Sequence, residues 1–138
     1  MGELKSGGLD ARYLGYFACF NRREFYVAHD VLEDLWLECR GCPDADFYKA
    51  LIQFAGAFVH LQKNRLGPAA ALFRLSKSYL SRFPDAYLQL DVAGVIRLAE
   101  RWLGLLEQGR LCVNPLETEP SPRVLPSDIG IASSAASR

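Results

Sequence analysis

Phe20-Asn21-Arg22-Arg23-Glu24-Phe25-Tyr26-Val27-Ala28-His29-Asp30-Val31-Leu32-Glu33-Asp34-Leu35-Trp36 is the stretch on which the fold turns. Phe25, His29, Leu32 and Trp36 follow one another at steps of four, three and four, the period of an amphipathic helix with the imidazole on its core-facing stripe. The residues ahead of them read as a helix start. Asn21 is placed to accept a hydrogen bond from the backbone N–H of Glu24, Glu24 to reach back to Asn21, and Phe20 and Phe25 to staple the corner. The spacing predicts a helix running to about Cys39, where Gly41 and Pro43 supply a left-handed cap and a breaker.

On the N-terminal side, Asp10 is positioned to cap a short first helix through the aromatic-rich segment Tyr13 to Phe20. On the C-terminal side a third helix starts near Asp44 or Asp46. It carries Phe47, Leu51, Ile52, Phe54, Phe58, Val59 and Leu61 and is apolar on nearly every side, which suits the centre of a bundle. Asn64 can take the left-handed conformation that ends it. Leu66 to Phe83 reads as a fourth helix, with Pro68 in its first turn and Pro84 behind it. Asp91 caps a fifth, with Leu90 and Val95 as its staple, Leu98, Trp102 and Leu105 on one face, and Gly109 beyond its end.

No period-two strand run interrupts residues 10–110, the loops are short and no internal repeat is present, so the expected fold is all-α: a single compact antiparallel bundle of about five helices. It spans residues 9–112, after a flexible N-terminus at 1–8. Four of the seven prolines fall within residues 114–138, together with a Ser/Ala-rich end, so 113–138 reads as an extended or disordered Pro/Ser-rich tail.

The composition narrows the function. A chain of 138 residues can bury roughly two thirds of its unfolded surface, so it needs neither disulfide nor metal to fold. Sixteen basic side chains balance sixteen acidic ones and form no basic stripe, which argues against nucleic acid as a partner. No stretch approaches the roughly 18 apolar residues of a membrane span, and Met1-Gly-Glu-Leu-Lys-Ser-Gly-Gly lacks the apolar stretch of a signal peptide; the expected location is the cytoplasm. Its four cysteines, Cys19, Cys39, Cys42 and Cys112, are too sparse for a disulfide scaffold and read as free thiols. Cys39-Arg40-Gly41-Cys42 is a lone C-x-x-C at a helix C-terminus, where the dipole does not favour the first thiolate, and a weak redox or zinc candidate. Gly-rich phosphate loops, nucleophile elbows and His-Glu-x-x-His are all missing from the sequence.

What chemistry there is sits in the bundle. His29 and Glu33 lie one helical turn apart, and the non-apolar positions of the third helix, Lys49, Gln53, Gly56, His60 and Lys63, fall on one line. Gly56 would let another helix come close. If the two stripes face each other, His29, Glu33, Gln53 and His60 form a polar cluster beside Trp36 within an aromatic core.

Three readings stay open. The cluster is structural, its members satisfying one another and fixing helix register. Or it is a metal centre in which His29, Glu33 and His60 hold Zn or Fe(II) for a hydrolase-like reaction. Or it orients the polar group of a small ligand against Trp36, with a histidine able to act as acid or base. The working expectation is a small-ligand-binding or interaction module. No cofactor is required by the sequence, and no residue is identifiable as catalytic. The Tyr13 to Phe20 helix is a candidate surface for a homodimer.

The run Phe20-Asn21-x-x-Glu24-Phe25-Tyr26-x-Ala28-His29-Asp30-Val31-Leu32-Glu33-Asp34-Leu35-Trp36, followed by Leu51-Ile52-Gln53-Phe54-Ala55 and His60-Leu61-Gln62, resembles the domain of unknown function 309 family over roughly residues 10–110. The resemblance implies a compact all-helical prokaryotic protein with no assigned activity. It carries over His29, Glu33, Trp36, Gln53 and His60 as the family motif. The chain departs from the pattern in three places: Asp30 stands where Glu is usual, His60 follows Val59 where a His pair is often found, and Asn64 replaces the usual Gly. A site needing both imidazoles of that pair would be impaired.

Overall fold

The computed structural model describes residues 8–126, in which the expected all-α fold is present. Its helices are α1 (Ala11–Asn21), α2 (Phe25–Glu38), α3 (Ala45–Gln62), α4 (Leu66–Leu80) and α5 (Val92–Gln108). Between α4 and α5 lies a minimal antiparallel hairpin, β1 (Ala86–Tyr87) and β2 (Leu90–Asp91), with Ala86 opposite Asp91 and Tyr87 opposite Leu90. A single 3-10 turn, Pro115–Glu117, follows α5. No helix among the described residues is long and apolar enough to cross a membrane.

Two helix starts form as local chemistry dictates. The Asp10 carboxylate accepts from the Arg12 N–H at 2.8 Å, and that of Asp91 accepts from the Gly94 N–H at 2.9 Å, each satisfying a donor that the first turn leaves free. The start of α2 is different, and the capping box expected there does not form. Asn21 is the last residue of α1. The chain then takes a left-handed step at Arg23 (φ 65°), with Arg23 N–H donating to the Phe20 carbonyl and Glu24 N–H to the Cys19 carbonyl, both at 2.9 Å. This is a Schellman closure of α1. Because it brings α1 directly up to α2, Glu24 enters the helix without a side-chain cap, pairing instead with Arg22. The staple half of the expectation holds: Phe20 and Phe25 meet edge to face at 4.9 Å.

The α3–α4 corner repeats the device, with Asn64 left-handed (φ 57°) as expected and Arg65 N–H donating to the His60 carbonyl at 2.8 Å. Helix α4 ends at Leu80, short of the expected Phe83. The intervening turn swings the Phe83 ring against Phe47 and Tyr87, at 5.4 and 4.9 Å.

Helix α3 runs through the centre, with Phe47, Leu51, Phe54, Phe58 and Leu61 buried among Ala50, Ala55, Gly56 and Ala57, whose small side chains let neighbours approach. Two buried hydroxyl groups near it are paired. The Tyr16 hydroxyl donates to the Leu51 carbonyl at 2.6 Å, and the Ser76 hydroxyl to the Ala50 carbonyl at 2.8 Å. Burial holds the Tyr16 hydroxyl well above the ordinary tyrosine pKa, so it remains a donor. The aromatic face of α1 does not offer a dimer surface as expected: Tyr13, Tyr16, Phe17 and Phe20 are at most 1% exposed, covered by the molecule's own core.

Beyond α5 the chain is extended, as composition suggests, yet its described part lies against the bundle. Asn114, Pro115, Val124 and Pro126 are buried. The Asn21 side-chain amide grips Val124 by both backbone groups, at 2.9 and 2.8 Å. Residues 114–126 therefore form a strap. The expectations for residues 1–7 and for the Ser/Ala-rich end, 127–138, lie outside the described residues.

Candidate functional site

Antiparallel packing sets the His29 side of α2 against the Gly56 side of α3. A Cβ added at Gly56 would stand 3.8 Å from the His29 ring and 3.1 Å from Leu72 Cδ1 on α4, so the missing side chain lets two neighbours close over α3 at once. The result is a shallow groove of about 130 Å³ lined by Tyr26, His29, Gly56, Val59, His60 and Leu72. It is smaller than the roughly 300 Å³ of the smallest ordinary ligand pockets and suits a group of a few heavy atoms.

The expected cluster is placed differently from the sequence reading. His29, Glu33, Trp36, Gln53 and His60 are all only partly buried, on the rim of the aromatic core. Among the described residues, no hydrogen bond joins His29, Glu33, Gln53 and His60 to one another. Instead the His29 Nδ1 faces the Asp30 carboxylate at 3.3 Å, and its ring lies parallel to that of Tyr26 at 6.3 Å. A carboxylate oxygen accepts, so this contact makes Nδ1 the donor nitrogen of the His29 ring. The donor atoms of His29, Asp30 and Glu33 lie within 4.8 Å of one another, whereas His60 does not join that group.

His60 Nδ1 and Gln53 Oε1 are buried without a hydrogen-bond partner. Trp36 lies outside the groove, packed against the core edge with the Arg40 guanidinium 5.8 Å from its ring.

Burial, reinforced by the positive charges of Arg65 and Lys63, lowers the His60 pKa below the ordinary histidine value, so the imidazole is neutral at pH 7. A folded-state pKa below the unfolded one means that the unfolded chain binds more protons in the interval between them. Stability is then full above the unfolded value of about 6.5 and falls as pH drops below it. The urea midpoint is expected to fall between pH 7.5 and pH 5.5, and His60→Gln to flatten part of that slope. An equal slope in the variant would show that His60 is not the group responsible.

A family model described as a domain of unknown function, DUF309, matches residues 13–72. The likeness to that family covers fewer than half of the 138 residues. The match runs from α1 into α4 and therefore contains every groove residue, whereas the hairpin, α5 and the strap lie outside it. No curated protein and no solved structure matches the chain. Within the matched segment, sequence reasoning undervalued Asp30, which counted only as a shortened acid. The signal was its adjacency to His29, since a short carboxylate can reach the neighbouring ring where helical periodicity places it on another face.

Proposed function

We propose that the chain is a binding module whose groove over Gly56 receives a small hydrogen-bonding group, carried by a small molecule or by a partner's side chain. The observation that carries this reading is the buried, unpartnered Nδ1 of His60 on a residue that shares the groove with His29. A buried polar atom without a partner costs about 1–3 kcal/mol, which a ligand supplying the missing hydrogen bond would recover. A neutral His60 offers one donor and one acceptor, and His29, oriented by Asp30, offers its second ring nitrogen. The apolar edges of Val59 and Leu72 limit what else fits. A cytoplasmic location belongs to the same reading and rests on the sparse cysteines.

A second reading has its own support. His29, Asp30 and Glu33 bring one nitrogen and two carboxylates within 4.8 Å on the solvent side of α2, a donor set suited to Zn, Mn or Fe(II) with open positions for water or substrate. This set differs from the expected one in using Asp30 where His60 was anticipated.

One thermal-shift experiment tests both. Screened against small amides, amines, alcohols and carboxylates, and separately against Zn, Mn and Fe(II), the groove reading expects an organic compound that raises the wild-type Tm and loses its effect in His60→Gln and His29→Gln. A metal that stabilises the wild type and Asn114→Ala but not Glu33→Gln, with stoichiometric metal by elemental analysis, would favour the second reading. A Tm unmoved by every compound would overturn both.

A further inference from the structure

Cys39 and Cys42 form the corner between α2 and α3. The Cys42 N–H donates to the Cys39 carbonyl at 2.8 Å, and Gly41 takes a left-handed conformation (φ 89°) that lets the chain turn back so tightly. A turn closed by that hydrogen bond holds the Cα atoms of its first and last residues within about 7 Å, and a disulfide spans about 4.4–6.8 Å between Cα atoms. Cys42 is exposed and Cys39 half-buried. Of the other thiols, Cys19 is buried and Cys112 is exposed beyond α5.

A structural zinc site calls for about four ligands. Among the described residues, the close grouping of His, Cys, Asp and Glu donors is His29, Asp30 and Glu33, which does not include these cysteines. The pair therefore lacks the further close ligands that a zinc ion would need, whereas the turn keeps the two residues near enough to join to each other. The two thiols also differ in reactivity. Burial first, then the neighbouring Cys42, Asp44 and Glu38, holds the Cys39 thiol above the ordinary cysteine pKa, which makes it the poorer first nucleophile.

We propose that Cys39 and Cys42 are a reversible dithiol–disulfide couple, with Cys42 as the attacking and Cys39 as the resolving thiol, exchanging with low-molecular-weight disulfides. The Cys42 thiolate attacks one sulfur of glutathione disulfide. A bond forms between Cys42 and that glutathione, and the electron pair of the old S–S bond leaves with the other glutathione as its thiolate. Cys39 then gives its proton to water and attacks the Cys42 sulfur, breaking the mixed disulfide and expelling the second glutathione thiolate. Both expelled thiolates take up protons. The protein loses two electrons and two protons, and the glutathione disulfide gains them as two thiols.

The test equilibrates reduced, full-length protein without oxygen against a series of reduced-to-oxidised glutathione ratios, quenches with an alkylating agent and maps peptides by mass spectrometry. The expected product is an intramolecular Cys39–Cys42 disulfide that accumulates with the oxidised fraction and reverses with excess reduced glutathione, leaving Cys19 alkylatable after unfolding. Cys39→Ser should trap glutathione on Cys42, whereas Cys42→Ser should leave Cys39 largely unmodified. The proposal is overturned if the wild-type pair stays reduced across the series, if Cys42 joins Cys112 or a second chain instead, or if Cys39 in Cys42→Ser takes glutathione faster than Cys42 in Cys39→Ser. The wild-type map decides the existence of the couple even if a variant misfolds.

Discussion

Phe58→Ala should destabilise the chain by about 3–5 kcal/mol, the range for emptying a large aromatic site in a core. The position justifies the upper part of that range. Phe58 is fully buried on α3, and its ring meets Phe25 of α2 at 5.0 Å, Phe20 of α1 at 5.4 Å, Phe73 of α4 at 5.3 Å and Trp102 of α5 at 5.0 Å. Every helix thus contributes one ring around this side chain. Each ring is anchored on a different backbone, so none can move into the void without shifting a helix, and the cavity stays largely open. Domains of this kind have only about 5–15 kcal/mol of stability in total. The Tm is expected to drop by more than about 10 °C, with an unchanged denaturant slope. Phe58→Leu, which keeps most of the volume, should cost less than about 1.5 kcal/mol. An alanine variant losing less than about 1 kcal/mol would mean that the five helices do not share this junction.

That junction is largely readable from the sequence, because helix periods place Phe25, Phe58 and Trp102 on their inner faces wherever the elements sit. The caps at Asp10 and Asp91 are readable for a related reason: donor and acceptor are within three residues, so no tertiary information enters. Asn21 fails by the same logic. Its partner is Val124, 103 residues away, and no local pattern announces it, whereas the spacing to Glu24 imitates a capping box. The hairpin is hidden for a different reason. Its turn places Leu88 (φ 46°) and Gln89 (φ 63°) in a conformation that ordinarily calls for Gly or Asn. Tertiary contacts hold it there: the Tyr13 hydroxyl donates to the Leu88 carbonyl at 3.1 Å, and the Tyr87 hydroxyl donates to the Asp44 carboxylate. That carboxylate pushes the Tyr87 pKa up to about 12.

The site is legible in direction but not in depth. Periodicity places His29 and Gly56 on two stripes and leaves their facing as a condition; in the structure the His29 ring comes up to Gly56. Periodicity cannot say how far toward solvent a stripe rotates. A side chain at the border of the apolar arc reads as core-facing in a helical wheel and emerges half-exposed once α4 packs on α3. This is why, in place of the expected interior network, the structure has a rim groove lined by His29 and His60, with Gln53 outside it. It is also why Asp30, one step off the stripe, came to be the group that orients His29.

Ending the chain after Val113 is expected to cost about 3 kcal/mol, a loss that a free Pro-rich tail would not produce. One part comes from Asn114. Its Nδ2 donates to the Leu61 carbonyl at 2.7 Å and lies 3.3 Å from the Asn64 side-chain oxygen, while its Oδ1 accepts from the Leu116 N–H at 3.0 Å. Leu61 sits in the last turn of α3, where its carbonyl already accepts from the Asn64 N–H at 3.0 Å, so the strap adds a second donor to the end of the central helix. Losing that second hydrogen bond costs about 0.5–1.5 kcal/mol, and losing the one from the Leu116 N–H a similar amount. Val124 adds about 1.5–3 kcal/mol for a buried side chain, while the exposed Arg101–Glu119 pair at 2.9 Å adds little. Ordering the strap costs backbone entropy, which offsets part of both contributions. The two anchors can be separated. Asn21→Ala should release only the Val124 end, for about 1 kcal/mol, and Asn114→Ala should weaken the α3–α4 corner, for about 2 kcal/mol. Because one segment joins the anchors, freeing either lowers the value of the other, so the double variant should lose less than the sum. Hydrogen exchange locates the effect: in Asn114→Ala the amides of Asn64 and Arg65 should exchange faster while those of α1 stay protected. A truncated chain with the full-length urea midpoint would show that the strap rests on the bundle without stabilising it.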